Sequence, residues 1–256
     1  MFIDTHSHLY FEQFNEDREK VVQRAIQNKV SAIITIGTDI ENSTESIKLA
    51  DKFAIVYASA GIHPNDCQAL DITVLDEIRQ MAASKKVVAI GEIGLDYYHS
   101  ISEKEKQHMF FREQLRLAKE LHLPVIIHNR DAHEDVYKIM VEEKAFTTGA
   151  VMHSFSGSID FLESVLAQNI YVSFTGVVTF KNANYYRLID KVPTEQLLLE
   201  TDSPFLAPVP FRGKRNEPAY IKFSAEKIAQ VKSMPIDKLA HITSENAKSL
   251  FQLNLK

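Results

Sequence analysis

Eight short apolar runs, separated by longer stretches of helical periodicity, limit this chain to a small set of folds. The runs are almost continuously apolar and rich in β-branched residues, as expected of parallel strands covered on both faces. They lie at residues 2–5, 32–36, 55–60, 87–90, 125–127, 150–152, 171–174 and 197–199. Amphipathic stretches between them include residues 16–28, 72–83, 103–121 and 161–168. This alternation predicts an α/β fold.

Ionisable residues near the ends of these runs distinguish the two folds that the alternation permits. Eight strand–helix units can close into a (β/α)8 TIM barrel or form an open, doubly wound sheet. A barrel enzyme assembles its site from the carboxyl ends of many strands, whereas an open sheet concentrates its site at one crevice. Here such residues follow five of the eight runs. The sequence therefore predicts a barrel, formed as one domain over residues 1–256.

The charge and the cysteine content narrow the class of protein. A net charge of −5 excludes a basic coat over the whole surface, so a polyanionic substrate would need a local patch or bound cations. The single cysteine, Cys67, fits a reducing compartment. The first residues do not read as a signal peptide, and no apolar run approaches the roughly 20 residues that span a bilayer. We expect a cytoplasmic protein with no membrane partner, and a monomer is favoured although the sequence does not fix the oligomeric state.

Four histidines stand at predicted strand ends. His6 and His8 are two residues apart on the first predicted strand, so their side chains share a face and can converge on one ion. His128 and His153 end the fifth and sixth predicted strands, where an unpartnered polar group would be costly. Each one alone could be a satisfied core histidine. Together they form a nitrogen ligand set that suits zinc, manganese or similar divalent ions.

Two carboxylates extend this set. Glu92 follows the fourth predicted strand between glycines, and it could bridge two cations or form a buried ion pair with an arginine. Asp202 ends the eighth predicted strand, and it could ligate a metal, accept a proton from water or cap the next segment. Six ligand-type residues at five strand ends would be an unusual coincidence for structural residues. They suffice for two ions about 3.5–4 Å apart, as in many phosphoesterases.

Six motifs in this order resemble the signature of the TatD family of metal-dependent deoxyribonucleases, namely FIDTHSHL, GIHP, GEIGLDYY, HNRDA, HSFSG and ETDSPFL. The resemblance implies one metal ion held by His6, His8 and Asp202. It implies a second ion held by His128 and His153, with Glu92 bridging the two. The expected cofactors are therefore two divalent ions, magnesium, manganese or zinc. The expected activity is hydrolysis of ester bonds in DNA, with the character of a 3′-5′ exonuclease.

The expected mechanism follows from two adjacent ions. They would lower the pKa of a bound water, and the resulting hydroxide would attack phosphorus while the ions neutralise charge on the phosphate oxygens. Asp202 is the candidate proton acceptor, and Glu92 would set the spacing of the metals.

Contacts to the substrate are predicted from polar and aromatic residues near the same strand ends. His63 could contact a phosphate, support a ligand or serve structure alone. Arg130, Arg212 and Arg215 could bind phosphates, and Tyr97 could stack on a base. Solvated loop faces and loop packing are the competing interpretations. The histidines away from predicted strand ends are interpreted as surface or packing residues, and they are His99, His108, His122, His133 and His241.

Three functions compete at this point. The first is a phosphodiesterase acting on DNA from an end. The main alternative is a hydrolase of carboxyl-type bonds, such as an amide, a lactone or an aminoacyl ester, because the same centre can polarise a carbonyl. Phosphate-binding cations favour nucleic acid, whereas a small, closed, apolar pocket would favour a metabolite. A protein that only binds metal for stability would need no open coordination position.

Overall fold

An eight-stranded parallel sheet forms the centre of the computed structural model, which describes residues 1–99 and 101–255. The strands are β1 (Phe2–Ser7), β2 (Val30–Thr35), β3 (Val56–Ala60), β4 (Val87–Asp96), β5 (Val125–Arg130), β6 (Ala150–Met152), β7 (Tyr171–Phe174) and β8 (Leu197–Leu199). Each strand pairs in parallel with the next one along the chain. Connections of this kind require crossovers, and each of the seven contains a helix.

The segment after β8 closes the sheet against β1. The Asp202 N–H donates a hydrogen bond to the His6 carbonyl oxygen over 2.8 Å, and the His8 N–H donates to the Ser203 carbonyl oxygen over 2.7 Å. The predicted (β/α)8 barrel is therefore confirmed. Because closure occurs through the residues around His6 and Asp202, it brings the first and last predicted ligands to one edge of the barrel.

Helices cover the outside of the barrel. They are α1 (Arg18–Gln27), α2 (Ile40–Lys52), α3 (Leu75–Met81), α4 (Lys104–Leu121), α5 (His133–Glu142), α6 (Ile159–Ala167), α7 (Tyr186–Lys191), α8 (Ile221–Val231) and α9 (Ile236–Phe251). Two of them, α2 and α6, have a side-chain N-cap. The Asp39 side chain accepts a hydrogen bond from the Asn42 N–H, and the Ser158 side chain accepts one from the Phe161 N–H. None of the helices in the described residues combines the length and the apolar character needed to cross a bilayer.

A separate apolar cluster fills the barrel beneath the predicted site. It includes Ile126, Val151 and Leu198, each nearly or fully buried. Side chains two residues apart on a strand share a face, so the residues two positions later, among them His128 and His153, also face the interior. Leu250 and Phe251 of α9 belong to the same cluster. The apolar interior thus forms a floor on which polar side chains stand at the carboxyl ends of the strands.

β1, β4 and β5 extend further towards their carboxyl ends than the apolar runs indicated. β4 continues to Asp96 because its polar end still pairs with β5, for example Gly94 with His128. A side chain at Gly94 would place its Cβ 1.9 Å from the His128 carbonyl oxygen, and the φ of Gly94 is +146°, so only glycine fits here. Glu92 therefore lies within β4 rather than after it, and His128 lies within β5. Asp202 lies three residues beyond β8 rather than at its end.

Candidate metal centre

Six ligand-type side chains from five strands and their following residues meet at the carboxyl end of the barrel. They are His6, His8, Glu92, His128, His153 and Asp202. All six belong to the set predicted from the sequence. Their side chains are largely buried, and the Asp202 side chain is 14% exposed. A group of this kind in the interior is costly unless its members are paired or bind an ion.

The two carboxylate oxygens of Glu92 face different histidines. Oε1 lies 2.7 Å from Nδ1 of His128 and 3.1 Å from Nε2 of His153. Oε2 lies 3.4 Å from Nε2 of His6. Each oxygen therefore has its own nitrogen partners, which is the arrangement that a bridging carboxylate requires.

Asp202 completes the side of the cluster that faces His6 and His8. Its Oδ1 lies 3.4 Å from Nε2 of His8 and 3.7 Å from Nε2 of His6. The two Nε2 atoms are themselves 3.2 Å apart. Asp202 has a φ of +55°, a conformation that aspartate tolerates better than most residues do. Two imidazole nitrogens and a carboxylate oxygen thus converge on one small volume.

The two carboxylates of the cluster, Glu92 and Asp202, are paired with histidines. In the described part of the chain, no lysine or arginine forms an ion pair with Glu92 or Asp202. Burial opposes ionisation of Glu92, but the imidazoles of His153 and His6 outweigh it and hold its pKa well below the ordinary value. Burial also disfavours a charged His153, yet Glu92 and Glu200 raise its pKa well above the ordinary value. The carboxylates are therefore ionised and have imidazoles rather than lysine or arginine as their partners.

The donor atoms fit divalent cations. Three overlapping groups have ligand atoms within 4.8 Å of one another, and they are His6, His153 and Asp202; His6, His8 and Glu92; and His63, Glu92 and His128. Imidazole and carboxylate donors together suit zinc, manganese and related ions. Such a cation would satisfy the facing nitrogen lone pairs and the carboxylate charges at once.

Two further carboxylates lie beside the outer ring nitrogens of His128 and His153. Oδ2 of Asp96 lies 3.3 Å from Nε2 of His128, on the side of the ring opposite Glu92. Oε1 of Glu200 lies 3.3 Å from Nδ1 of His153, and Glu200 also accepts hydrogen bonds from the Ser154 N–H and the Ser173 hydroxyl. Metal-ligating histidines commonly have such a carboxylate at the other ring nitrogen, which fixes the tautomer.

Asp4 links β1 to the segment that carries Asp202. It accepts hydrogen bonds from the Thr201 N–H at 2.9 Å and from the Thr201 hydroxyl at 2.6 Å. Burial raises the pKa of Asp4 to about 8, and the bonds from Thr201 only partly offset this. The contact holds the backbone directly before Asp202 against the first strand.

Comparison with known proteins assigns the chain to a family. A sequence model of the family described as TatD related DNase matches residues 3–252. The chain belongs to the TatD family. It is 48% identical to a Bacillus subtilis protein named uncharacterized metal-dependent hydrolase YabD, over 99% of this chain and 100% of that protein. The predicted family is confirmed, and the chain is a metal-dependent hydrolase.

Two further relatives of this TatD-family chain bear on its fold and its activity. An Escherichia fergusonii protein named 3′-5′ ssDNA/RNA exonuclease TatD is 36% identical over 94% of this chain and 95% of its own length. The crystal structure of YJJV, a TatD homologue from Escherichia coli K12, superposes with a TM-score of 0.93 at 34% identity, and the match covers 98% of both chains.

His63 and Arg130 are the predicted substrate residues that the TatD-family barrel brings to the centre. Nε2 of His63 lies 3.9 Å from Oε1 of Glu92, and its ring packs edge-on against that of His128 with centroids 4.4 Å apart. Burial lowers the pKa of His63 to about 3. Arg130 lines a cavity of about 160 Å³ together with His128, His153 and Asp202. That cavity is the opening through which a substrate would reach the cluster.

The structure places the other three predicted substrate residues elsewhere. The Tyr97 hydroxyl donates to Asp135 over 2.6 Å, and Arg215 forms an ion pair with Asp17 at 2.7 Å. The Arg212 guanidinium lies over the Phe180 ring, 4.4 Å from its centroid. None of the three is among the described residues that line the cavity. Their contact with a substrate stays a prediction, and the contacts shown here are with the protein itself.

Sequence reasoning missed two residues of this TatD site. Asp96 stands in the GEIGLDYY motif but was not assigned a role, and His99 was interpreted as a surface or packing residue. The fourth apolar run ends at residue 90, nine positions before His99, so the apolar pattern places His99 away from a strand end. Because β4 continues to Asp96, His99 follows the strand by three residues and lines the cavity. The available signal was Asp96 itself, which lies at the end of a barrel strand three positions before His99.

Proposed function

We propose that this protein is a divalent-metal-dependent nuclease that shortens DNA from its 3′ end. The observation that carries the proposal is the orientation of Glu92, whose two oxygens face separate histidines with Asp202 beside one of them. A bridging carboxylate of this kind is typical of two-metal phosphodiesterases. The activity named for the Escherichia fergusonii relative supports the choice of a nucleic acid substrate and of 3′-5′ polarity.

We assign two metal ions to the six-residue cluster. His6, His8 and Asp202 would hold one ion, His128 and His153 would hold the other, and Glu92 would bridge them. When bound, such ions act as Lewis acids that polarise the phosphate and make a bound water acidic. The number of ions and their identity as magnesium, manganese or zinc belong to the proposal, and the nitrogen-rich donor set favours manganese or zinc.

The chain's own residues supply orientation and a proton acceptor. Asp202 is the cluster carboxylate that also lines the cavity, so it is placed to take the proton of an attacking water. Asp96 and Glu200 keep His128 and His153 in fixed tautomers. Arg130 brings a positive charge to the opening for the phosphate oxygens. The monomeric state, the cytoplasmic location and the single domain over residues 1–256 stay predictions.

End-labelled DNA tests this proposal. Protein stripped of metal and resupplied with magnesium, manganese or zinc is incubated with single- and double-stranded DNA labelled at the 3′ or the 5′ end, with Glu92→Ala as the control. We expect metal-dependent release of the 3′ label as mononucleotide and stepwise shortening of the 5′-labelled strand. The Glu92→Ala variant should remain folded by circular dichroism and lose this activity.

Other outcomes would redirect the assignment. Cleavage from the 5′ end would keep the nuclease and reverse its polarity. A folded protein that binds two ions and cleaves no DNA with any metal would refute the proposal, and carboxyl-type substrates would then be tested.

A further inference from the structure

His99 lies at the edge of the cavity that leads to the candidate metal centre. The cavity is lined by His99 and Arg130 as well as by His128, His153 and Asp202. The His99 side chain is 53% exposed, whereas that of Asp96 beside it is fully buried. Nδ1 of His99 lies 2.7 Å from Oδ2 of Asp96. An exposed imidazole is thus fixed from one side by a buried carboxylate.

Asp96 orients His99 as firmly as it orients His128. Its Oδ1 accepts hydrogen bonds from the backbone N–H groups of Tyr98 and His99 at 3.0 and 2.9 Å. Its Oδ2 faces His99 and His128 and also accepts from the Asn65 amide at 3.0 Å. Because Nδ1 of His99 donates to Asp96, Nε2 is the nitrogen left to meet a ligand. No other hydrogen bond joins the His99 ring to the residues that the structure describes.

Arg130 provides a positive charge at the same edge. Its Cζ lies 4.7 Å from the centroid of the Tyr98 ring, a contact that holds the guanidinium without neutralising it. Arg130 forms no ion pair within residues 1–99 and 101–255. Tyr97 and Arg130 are also joined by a backbone hydrogen bond, so the ends of β4 and β5 move together. One imidazole and one guanidinium therefore line the same cavity.

The position of this pair separates it from the cleaved bond. His128 presents Nδ1 to Glu92 and Nε2 to Asp96, so its ring stands between the two carboxylates. His99 contacts Asp96, and Asp96 in turn contacts His128, so two side chains separate His99 from Glu92 along this series of contacts. A phosphate bound at the metal cluster would lie on the Glu92 side of the series, which leaves His99 for the neighbouring phosphate of the same strand.

We propose that His99 and Arg130 bind the phosphate that flanks the cleaved bond, and so select a polynucleotide over an isolated phosphodiester. This inference rests on the proposed nuclease function and names its substrate contact. Imidazole N–H and guanidinium donors suit phosphate oxygens, and contacts of this kind position a strand without reading its sequence. His99 is a substrate-binding residue in this view, positioned by Asp96.

Two substrates separate this contact from the chemistry. One is a 5′-labelled single-stranded oligonucleotide, and the other is bis(p-nitrophenyl) phosphate, which has one phosphodiester and no flanking phosphate. The variants are His99→Ala, His99→Arg and Arg130→Ala. Exposed residues of the same type give matched controls, namely His241→Ala in α9 and Arg187→Ala in α7. Bound metal is measured in every variant, because a purely structural role would change it.

The expected result is a selective loss. His99→Ala should raise KM for the oligonucleotide about tenfold, as expected for one lost hydrogen bond to a charged group. Its loss of kcat/KM should be much larger on the oligonucleotide than on bis(p-nitrophenyl) phosphate. For Arg130→Ala, the slope of the logarithm of affinity against the logarithm of salt concentration should fall by about one. His99→Arg should recover most of the affinity, and metal content should stay at two ions.

Equal losses on both substrates, or an unchanged KM for the oligonucleotide, would overturn the proposal. Anisotropy of a labelled oligonucleotide in EDTA keeps it separate from the nuclease proposal. If the wild-type protein binds but does not cleave, the nuclease proposal fails, and a weaker affinity of His99→Ala still supports the phosphate contact. If the wild-type protein neither binds nor cleaves, both fail.

Discussion

Two glutamates of this protein are equally buried and have opposite surroundings. Glu92 in the barrel mouth is 4% exposed, and Glu217 on the barrel wall is 3% exposed. Glu217 accepts hydrogen bonds from Arg24 at 2.6, 2.9 and 3.1 Å, and Arg24 also bonds to Asp17. The ion-pair partners of Glu92 among the described residues are all imidazoles. One buried carboxylate is paired with an arginine, and the other faces imidazoles, which can also bind a metal ion.

This difference separates a structural carboxylate from a functional one. Burying a charge is tolerated when a well-placed partner remains in the fold, and removing the partner leaves an expensive unpaired group. The sequence alone left a buried ion pair open as a role for Glu92, and Glu217 is the residue that has this role. A carboxylate whose pKa is strongly shifted, in a cleft with histidines but with no lysine or arginine partner, is a candidate functional residue.

The largest expected effect comes from exchanging each glutamate for glutamine. Glu92→Gln should lower kcat/KM on DNA about a thousandfold or more, as removal of a key electrostatic group does in other enzymes, while the unfolding midpoint in urea changes little. Glu217→Gln should keep most of the activity per folded molecule and lose stability. Activity that survives in Glu92→Gln, or vanishes in folded Glu217→Gln, would break the comparison.

The next effect concerns the wall network, which is the set of ion pairs that Arg24 and Arg215 form with Asp17 and Glu217. Arg24→Ala should destabilise the protein by about 3 kcal/mol, the lower end for breaking a buried pair, because Arg24 is itself partly exposed. Urea denaturation measures this free energy. The double variant Arg24→Ala/Glu217→Gln should be more stable than Arg24→Ala, since it removes the unpaired charge. Equal stabilities would mean that Glu217 reaches water or another cation when Arg24 is absent.

The sequence predicts the apolar strands and the cluster residues better than it predicts the polar ends of the strands. The barrel and the six cluster residues follow from apolar runs that end in ligand-type residues, because parallel strands of a barrel bring their carboxyl ends together. The course of the polar strand ends did not follow, since β4 and β5 continue through backbone pairing that apolar patterns do not register. The apolar pattern therefore does not reveal that His99, an exposed residue, follows β4 by three positions and lines the cavity.

The loop after β8 shows the other limit of sequence reasoning. Arg212 and Arg215 were both predicted as phosphate contacts, because cations in a loop after a barrel strand often line the mouth. Arg215 pairs with Asp17, nearly 200 positions earlier in the sequence, and its contact with a phosphate stays a prediction. The partner of a surface cation depends on long-range packing, which neither spacing nor composition reveals.

Metal addition should give a smaller effect than either ion-pair change. A ligand that binds only the folded state at 100 times its Kd stabilises by about 2.7 kcal/mol. Manganese added to the metal-stripped wild-type protein should therefore raise the thermal midpoint, measured by calorimetry. Glu217→Gln should show the same rise from a lower starting point, whereas Glu92→Gln should show a much smaller one. An equal rise in both variants would place the metal outside the cluster.

The smallest expected effect is the pH dependence of the wall network. Hydrogen bonds from Arg215 and Arg24 outweigh partial burial and hold the pKa of Asp17 below its ordinary value. A carboxylate whose pKa is lowered on folding contributes stability above its unfolded pKa of about 3.9, and this contribution is lost as the pH falls through the folded value. Between pH 4 and pH 2, metal-stripped wild-type protein should therefore lose stability more steeply than Asp17→Asn, as measured by urea denaturation. Glu163→Gln, which removes the exposed pair with Lys191, is the matched control and should follow the wild-type curve closely. If Asp17→Asn follows that curve as well, the wall network adds no more than an exposed ion pair, and the contrast with Glu92 would then rest on Glu217 and Arg24 alone.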